Sequence, residues 1–354
     1  MTRMRVAVVG CGHLGSIHAR LLAARGDVEL VAVVDPTEES RGRVAATHGV
    51  TPLADPRDLV GLVEAAVIAA PTGLHAAVSL PLLEAGIDLL VEKPLAATVE
   101  DARAIVIAAR RFGRTVATGH VERFNPAWRA AAQRASGVSC ITSERLAPFP
   151  FRSLDVGVVH DVMIHDIDLV LSLEPGRLER VEARGLSATG GHEDAVRTRL
   201  TFSSGLVADL SASRISPVLR RSLSMWTAGE VIDIDFNAKT VSVMSASAGV
   251  RDGSFVAANV PFAERAGLKE RFFAEILPLE TLSFADSNAI AAEHDDFLDA
   301  IRSARQPLVS AAAGAAALEI AARVLQVLEC TRLGSGRTVA ATATIPLAPR
   351  RKTG

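Results

Sequence analysis

From residue 5 to about 120 the chain alternates short, continuously apolar runs with helix-length segments, the pattern of buried parallel strands joined by crossover helices. The expected strands are 6–9, 30–34, 66–70, 89–91 and 115–118, with a shorter one at 51–53. Between the first two, Leu14, Ile17 and Leu21 recur at spacings of three and four, as one face of a helix does, which makes a βαβ unit. After Asn125-Pro126, an N-cap followed by a proline at the first helical position, the texture changes. In Val196-Arg197-Thr198-Arg199-Leu200-Thr201-Phe202 the apolar members alternate, and Ser203-Ser204-Gly205 turns the chain into a partner strand at 206–213. Ala228-Gly229 and Asn237-Ala238 mark further turns around a strand at 232–236. This second half reads as a mostly antiparallel open sheet with one packed and one polar face, closed by helices at 288–303 and 311–331. The expected organisation is an α/β Rossmann domain over residues 1–122, an α+β substrate-binding and oligomerisation domain over 123–347, and a disordered tail at 348–354.

Composition narrows the function. Apolar residues make up 49% of the 354 positions and charged residues 22%, enough to bury a core in each of two domains. The 38 Lys and Arg nearly balance 40 Asp and Glu, so no basic field exists for gripping nucleic acid or an anionic membrane, and neither is an expected partner. With 12 Phe, 2 Trp and no Tyr, base or sugar stacking is disfavoured, and a sugar would be held by hydrogen bonds. Three widely spaced cysteines, with no CxxC pair, fit a reducing cytoplasm and no metal site. The N-terminus shows no export pattern, and the Ala-rich stretch 307–318 is too short to span a membrane.

Gly10-Cys11-Gly12-His13-Leu14-Gly15 is G-x-G-x-x-G between a strand and a helix. Gly10 permits the tight turn, Gly12 lets backbone approach a pyrophosphate, and Gly15 lets helix and sheet pack closely. The backbone of Gly10, Gly12, His13, Leu14 and Gly15 is thus an expected dinucleotide cradle, with the helix N-terminus facing the phosphates. Asp35, twenty residues after Gly15 at the end of the second strand, can accept hydrogen bonds from both adenosine ribose hydroxyls and would repel a 2′-phosphate. NAD is the expected cofactor, although Arg41 and Arg43 lie nearby in sequence. Cys11 reads as a packing residue, and the side chains of His13 and His18 as helix-start and surface groups.

Two further features fit hydride transfer. Glu92-Lys93-Pro94 follows a strand directly, and ligands of open α/β sheets sit outside the carboxyl ends of strands. Lys93 there can hydrogen-bond an alcohol oxygen and stabilise the charge that builds on it, with the Lys-Pro bond a candidate for cis. In Asp161-Val162-Met163-Ile164-His165-Asp166-Ile167-Asp168, spacings of four and three place Asp161, His165 and Asp168 on one stripe of an otherwise apolar helix. An imidazole is suited to removing a hydroxyl proton near neutral pH, and Asp161 is placed to orient the ring or to bind the sugar.

The glycine turn, Glu92-Lys93-Pro94 and the Asp161/His165 pair together resemble the Gfo/Idh/MocA oxidoreductases over nearly the whole chain. The resemblance implies that Lys93 and His165 are the catalytic pair, assisted by Asp161, and that Ala70, Pro71, Thr72, Glu92 and His75 contact the cofactor. For His75 an early helix position after a Thr72 cap is an equal alternative. It also implies a homodimer or homotetramer formed through the open sheet. Within the family, Gly119-His120-Val121-Glu122-Arg123-Phe124-Asn125-Pro126 and the run from Arg145 to Leu171 look like the UDP-N-acetylglucosamine 3-dehydrogenases, whose 3-keto product feeds lipid A precursor synthesis. That likeness makes Arg123, Asn125, Arg145 and Arg152, with Lys93, Asp161 and His165, candidate substrate-binding residues, the arginines for a diphosphate or else as ordinary surface groups. The expected activity is NAD-dependent oxidation of C3 of UDP-N-acetylglucosamine. A cyclitol or simple-sugar dehydrogenase and a non-catalytic NAD-binding regulator are the alternatives.

Overall fold

The computed structural model describes residues 3–151, 156–335 and 338–339. The first half contains β1 (Met4–Val9), α1 (His13–Ala23), β2 (Val28–Val34), α2 (Glu38–His48), β3 (Thr51–Leu53), β4 (Ala65–Ile68), α3 (His75–Glu84), β5 (Asp88–Glu92), α4 (Val99–Phe112) and β6 (Val116–Gly119). All six strands pair in parallel in the order β3-β2-β1-β4-β5-β6, the doubly wound order of a Rossmann domain. Alternate residues of the same strand feed two different cores, which is why the runs are apolar throughout. Ala7, Val9, Ala32, Val34, Ile68 and Val91 join Leu82, Leu83 and Ile105 of α3 and α4 on one face. On the other, Val6, Val8, Leu30, Val33, Val67 and Leu90 meet Ala19, Leu22 and Val44 of α1 and α2.

The second half contains α5 (Pro126–Ala132), β7 (Cys140–Leu146), α6 (Ile164–Leu171), β8 (Leu178–Ser187), β9 (Ala195–Phe202), β10 (Val207–Ser213), β11 (Arg220–Trp226), β12 (Glu230–Asp235) and β13 (Thr240–Ser245). It continues through α7 (Ala248–Arg251), α8 (Phe262–Glu270), β14 (Leu279–Ser283), α9 (Ala289–Arg302), α10 (Ala311–Val327), β15 (Glu329–Arg332) and β16 (Thr338–Val339). Ten strands form one sheet in the order β14-β13-β12-β11-β7-β10-β9-β8-β15-β16. Only β7 with β10 and β8 with β15 run parallel, so the sheet is mostly antiparallel as expected. One face packs Ile141, Leu200, Phe202, Leu210, Met225, Ile232 and Val243 against Trp128, Met163, Ile164, Ile167, Val170 and Val324 of the helices. The opposite face is an open trough lined by Thr142, Glu144, Arg197, Arg199, Asp209 and Ser211.

Three differences from the periodicity have clear causes. The fully buried side of α1 is Gly15, His18, Ala19 and Leu22, whereas Leu14, Ile17 and Leu21 are half-buried; the expected stripe is rotated because a histidine occupies the core face. The last long helix ends at Val327 rather than at 331, and Glu329–Arg332 instead pairs with β8, with Cys330 turned into the core. Neither Gly nor Pro marks that stop. Finally, α9 returns to the first half: Phe297 and Leu298 pack with Val6, Val8 and Val33, while Arg25 pairs with Asp295 and Arg302 with Asp27. By packing, α9 therefore belongs to the nucleotide fold although it follows residue 123 in sequence. The tail 348–354 lies outside the described residues.

Candidate active site

The glycine turn closes as its spacing predicts. Gly10 has φ of 98°, and a Cβ there would press on the backbone of Ala69. A Cβ on Gly15 would overlap the Gly10 carbonyl, whereas one on Gly12 would meet nothing within 4 Å. Each glycine thus shows its expected role: turn, close helix packing, and open space over the backbone. Gly12 is the N-cap of α1 and has no side chain to cap it, and no acidic residue sits in the first turn, so these N–H groups face outward uncommitted. Asp35 stands beside the turn, its Oδ2 accepting from Cys11 N at 2.9 Å and its Oδ1 from Thr37 N at 2.8 Å. A carboxylate offers about four lone-pair sites, so two remain for ribose hydroxyls. Arg41 and Arg43 direct guanidinium groups to backbone carbonyls, Arg41 to Pro36 O at 3.1 Å and Arg43 to Cys11 O at 3.1 Å. Cys11 is buried, and burial first, then Asp35, pushes its thiol up to about 11, in keeping with packing rather than redox chemistry.

The loops after β1, β4, β5 and β6 gather at the carboxyl edge of the sheet. After β4, Ala70, Pro71 and Thr72 lead through a short turn into α3. Thr72 makes no capping bond; His75 instead is buried and lies between Pro94 O at 3.0 Å and Ala70 O at 2.9 Å. It therefore sits between the loop after β4 and the loop after β5, its N–H donating to one of the two carbonyls. Its burial favours the neutral ring.

The Lys93-Pro94 bond is cis. Lys93 Nζ crosses to the second half of the chain, donating to Asp161 O at 2.6 Å and Asp161 Oδ1 at 3.2 Å. Asp161 lies in a π-helical turn, Val159–Met163, that runs directly into α6 and its His165. The start of this turn is held by Glu193, whose Oε1 accepts from Val159 N at 3.2 Å. Gly157 leaves the room, because a Cβ there would overlap the Glu193 carboxylate. Two stretches far apart in sequence thus meet, an ammonium from one and an imidazole helix from the other.

His165 is half-buried, with Nδ1 on its buried edge. Burial first, then the charges of Lys93, Arg145, His120 and Arg221, push it well below the usual imidazole range, so it is a neutral proton acceptor at neutral pH. Beside it stands a residue to which sequence reasoning assigned no role. His120, just past the end of β6, is fully buried, its ring edge-on to His165 with centroids 6.2 Å apart. Burial, Lys93 and Arg123 push its pKa down to about 3. The rule that ligands gather at strand carboxyl ends was the available signal for it.

The substrate candidates divide. Arg145 is buried and its guanidinium is committed to two carboxylates, Asp166 Oδ1 at 2.8 Å and Glu122 Oε1 at 2.8 Å. It is neither a surface arginine nor free to grip a diphosphate, because the cation is already neutralised inside the protein. Arg123 lies 3.6 Å from Asp168 Oδ1 and reaches Leu308 O at 3.4 Å. Burial raises Asp168 to about 7 against the pull of Arg123. Asn125 caps α5 through Ala127 N at 3.0 Å, as its position before Pro126 predicts, which commits its Oδ1 to the backbone. Arg152 lies outside the described residues. Glu92, expected at the cofactor, turns inward: His18 Nε2 lies 2.8 Å from its Oε1, and Lys93 N donates to its Oε2 at 3.2 Å. His18 itself is a core residue, correcting its surface assignment, and its Nδ1 lies 2.8 Å from His294 Nε2 of α9.

Next to His294, Glu293 is buried with neither oxygen hydrogen-bonded among the described residues. Burial first, then Glu92, Asp296 and Asp168, raises its pKa well above the ordinary 4.5. Below that ordinary value the carboxyl is protonated both folded and unfolded; above it only the unfolded chain ionises, so stability falls as pH rises toward the raised native value. Glu293→Met removes this term. Its stability relative to wild type in urea unfolding should therefore be greater at pH 7.5 than near pH 4. An unchanged difference across that range would exclude the buried acid.

Residues 4–120 match the model of the oxidoreductase family with an NAD-binding Rossmann fold, and residues 107–230 that of the GFO/IDH/MocA C-terminal domain. The UDP-N-acetylglucosamine 3-dehydrogenase of Acidithiobacillus ferrooxidans is 32% identical over 330 residues, covering 93% of this chain and 98% of the relative. The solved structure of that enzyme superposes with a TM-score of 0.81 at 31% identity over 93% of this chain and 98% of the other. The scyllo-inositol 2-dehydrogenase (NAD(+)) of Bacillus subtilis is 29% identical over 234 residues, 61% of this chain and 68% of the relative. With the nucleotide turn and the lysine loop at the carboxyl edge of one sheet, Lys93 reaching the turn that precedes the histidine helix, and a 32% identical relative covering 93% of the chain, the chain belongs to the Gfo/Idh/MocA family of NAD-binding oxidoreductases.

Proposed function

We propose that the protein oxidises the C3 hydroxyl of UDP-N-acetylglucosamine to the 3-keto sugar with NAD. The observation that carries this reading is the contact of Lys93 Nζ with Asp161, one helical turn before His165, beside an open and uncapped glycine turn. NAD fits the residues present. The N–H groups at the start of α1 and the space over Gly12 would hold the pyrophosphate, Asp35 the adenosine ribose, and the loops Ala70-Pro71-Thr72 and Lys93-Pro94, with His75 between them, the nicotinamide end. When bound, it supplies the hydride acceptor.

The protein's own part is acid–base and electrostatic. His165, neutral at working pH, takes the hydroxyl proton. The Lys93 ammonium donates to the same oxygen and stabilises the negative charge that grows as the proton departs. Asp161 holds the ammonium in place through both its carbonyl and its carboxylate. Arg123, on the short helix Val121–Phe124, is the arginine we assign to the diphosphate, because its carboxylate neighbour, Asp168 at 3.6 Å, is raised by burial to about 7 and holds it less firmly than Asp166 and Glu122 hold Arg145. With NAD supplying the hydride acceptor the reaction would balance: the imidazole takes the proton and a ketone remains.

The full-length match to the Acidithiobacillus enzyme favours the nucleotide sugar over a cyclitol. We assign the protein a cytoplasmic location and a role in forming diamino-sugar lipid A precursors; no helix among the described residues is long and apolar enough to cross a membrane. The polar trough of the ten-stranded sheet, with Trp226 exposed on a neighbouring strand, supports assembly as a homodimer or homotetramer. The test is NADH formation from UDP-N-acetylglucosamine, scyllo- and myo-inositol and free N-acetylglucosamine, with and without a keto acid to recycle bound cofactor. NADH formed from the nucleotide sugar alone is expected. Turnover of an inositol instead assigns a cyclitol dehydrogenase, and none with any sugar leaves a regulator.

A further inference from the structure

A line of buried polar groups runs behind the lysine loop, away from the cleft. His294 of α9, His18 of α1 and Glu92 at the end of β5 join three elements that are 74 and 276 residues apart along the chain. The protons on this line can be placed. Burial, with His18 and Arg25 nearby, pushes His294 down to about 3, so it is neutral and carries one N–H. Its Nδ1 is buried without a partner among the described residues. A proton there would be a buried donor with no acceptor, the costlier arrangement, so the proton sits on Nε2 and is donated to His18 Nδ1. His18 Nε2 then carries the second N–H and donates to Glu92 Oε1 at 2.8 Å. Glu92 in turn is fixed from its other side. Its Oε2 accepts from Lys93 N at 3.2 Å, and its carboxylate lies flat over Gly119 of β6, where a Cβ would come within 2.8 Å of it.

We propose that His18 is a positioning residue for the catalytic lysine, clamping the Glu92-Lys93-Pro94 loop to the nucleotide helix α1 and to the returning helix α9. The inference rests on the reading of Lys93 as the alkoxide-stabilising group. Removing the donor to Glu92 leaves its carboxylate free to leave the surface of Gly119 and to release the Lys93 amide, so the ammonium loses the bearing that brings it to Asp161. Displacements of this size at a reacting group cost more in turnover than in binding.

Two substitutions separate the clamp from general core packing. His18→Leu fills the space and removes both hydrogen bonds; His18→Gln retains an acceptor for His294 and a donor for Glu92. The expected result for His18→Leu is a fall in kcat of about 10²-fold with the NADH dissociation constant, read by fluorescence, moved less than about twofold. His18→Gln should recover most of that kcat even where its melting temperature equals that of His18→Leu. A crystal structure of His18→Leu should show Lys93 Nζ away from Asp161. Equal kcat losses in the two variants, or the Lys93–Asp161 contact intact in His18→Leu, overturn the proposal. His294→Phe, which cuts only the outer link, should lower kcat by about tenfold; an unchanged kcat there overturns it as well. Absence of turnover in the wild type would instead defeat the dehydrogenase reading, and the position of Lys93 in the crystal structure would still decide the clamp.

Discussion

His165→Ala should lower kcat by about 10²–10⁴-fold, the range for loss of a positioned general base, while NADH binds as tightly as to the wild type. In the proposed reading the nucleotide cradle is formed by the loops after β1, β2, β4 and β5, which do not include His165. Lys93→Met should cost about 10²–10³-fold, the range for loss of one donor to a developing oxyanion. In that variant Asp161 also loses the cation that its carbonyl and carboxylate share. Steady-state rates with fluorescence titration of NADH are the measurements, and near wild-type turnover in both variants would end the assignment. The acid limb of the kcat/KM profile carries the same chemistry. Because burial and the neighbouring Lys93, Arg145, His120 and Arg221 disfavour the imidazolium, His165 stays deprotonated to a lower pH than a free histidine. The acid limb attributable to it should therefore fall below pH 6.5.

Arg145→Met should destabilise the protein by about 3–5 kcal/mol at neutral pH, the cost of removing one member of a buried ionic group. The guanidinium holds Asp166 and Glu122 together at 2.8 Å each and lies over Phe236 at 5.5 Å. Without it, the buried Asp166 and the partly buried Glu122 lose the cation they share. Urea unfolding of the variant measures the loss. Were Arg145 instead a diphosphate ligand, the variant would keep its stability and raise KM for the nucleotide sugar, so the two readings give opposite patterns. Asp166 sits next to His165, and Glu122 lies on the turn after His120. The ion group thus braces both histidines from behind.

The parts of this architecture that could be read in the sequence are those set by local pattern. Continuous apolar runs mark strands covered on both faces, and the observed strands agree with them within two residues at the ends, the expected strand at 66–70 stopping at Ile68 because Ala69 and Ala70 already belong to the turn after β4. The glycine spacing, the lysine at a strand end and the four-residue step from Asp161 to His165 are likewise short-range signals. Burial of a polar residue is different, because it depends on partners remote in sequence. His18 looks like a surface group until His294, far along the chain, is brought against it. Arg145 looks like a phosphate ligand until Asp166 and Glu122 close on it. Glu92 has the right place for cofactor contact, yet the donor from α1 draws its carboxylate inward. In each case the residue type and position were legible and the direction of the side chain was not.

The return of α9 also bears on how the molecule is made. Phe297 and Leu298 supply part of the cover over Val6, Val8 and Val33, residues that precede them by more than 250 positions. A polypeptide emerging in order must keep that side of the nucleotide lobe incompletely covered until α9 is available, so the lobe translated earlier is completed only after most of the later one has emerged.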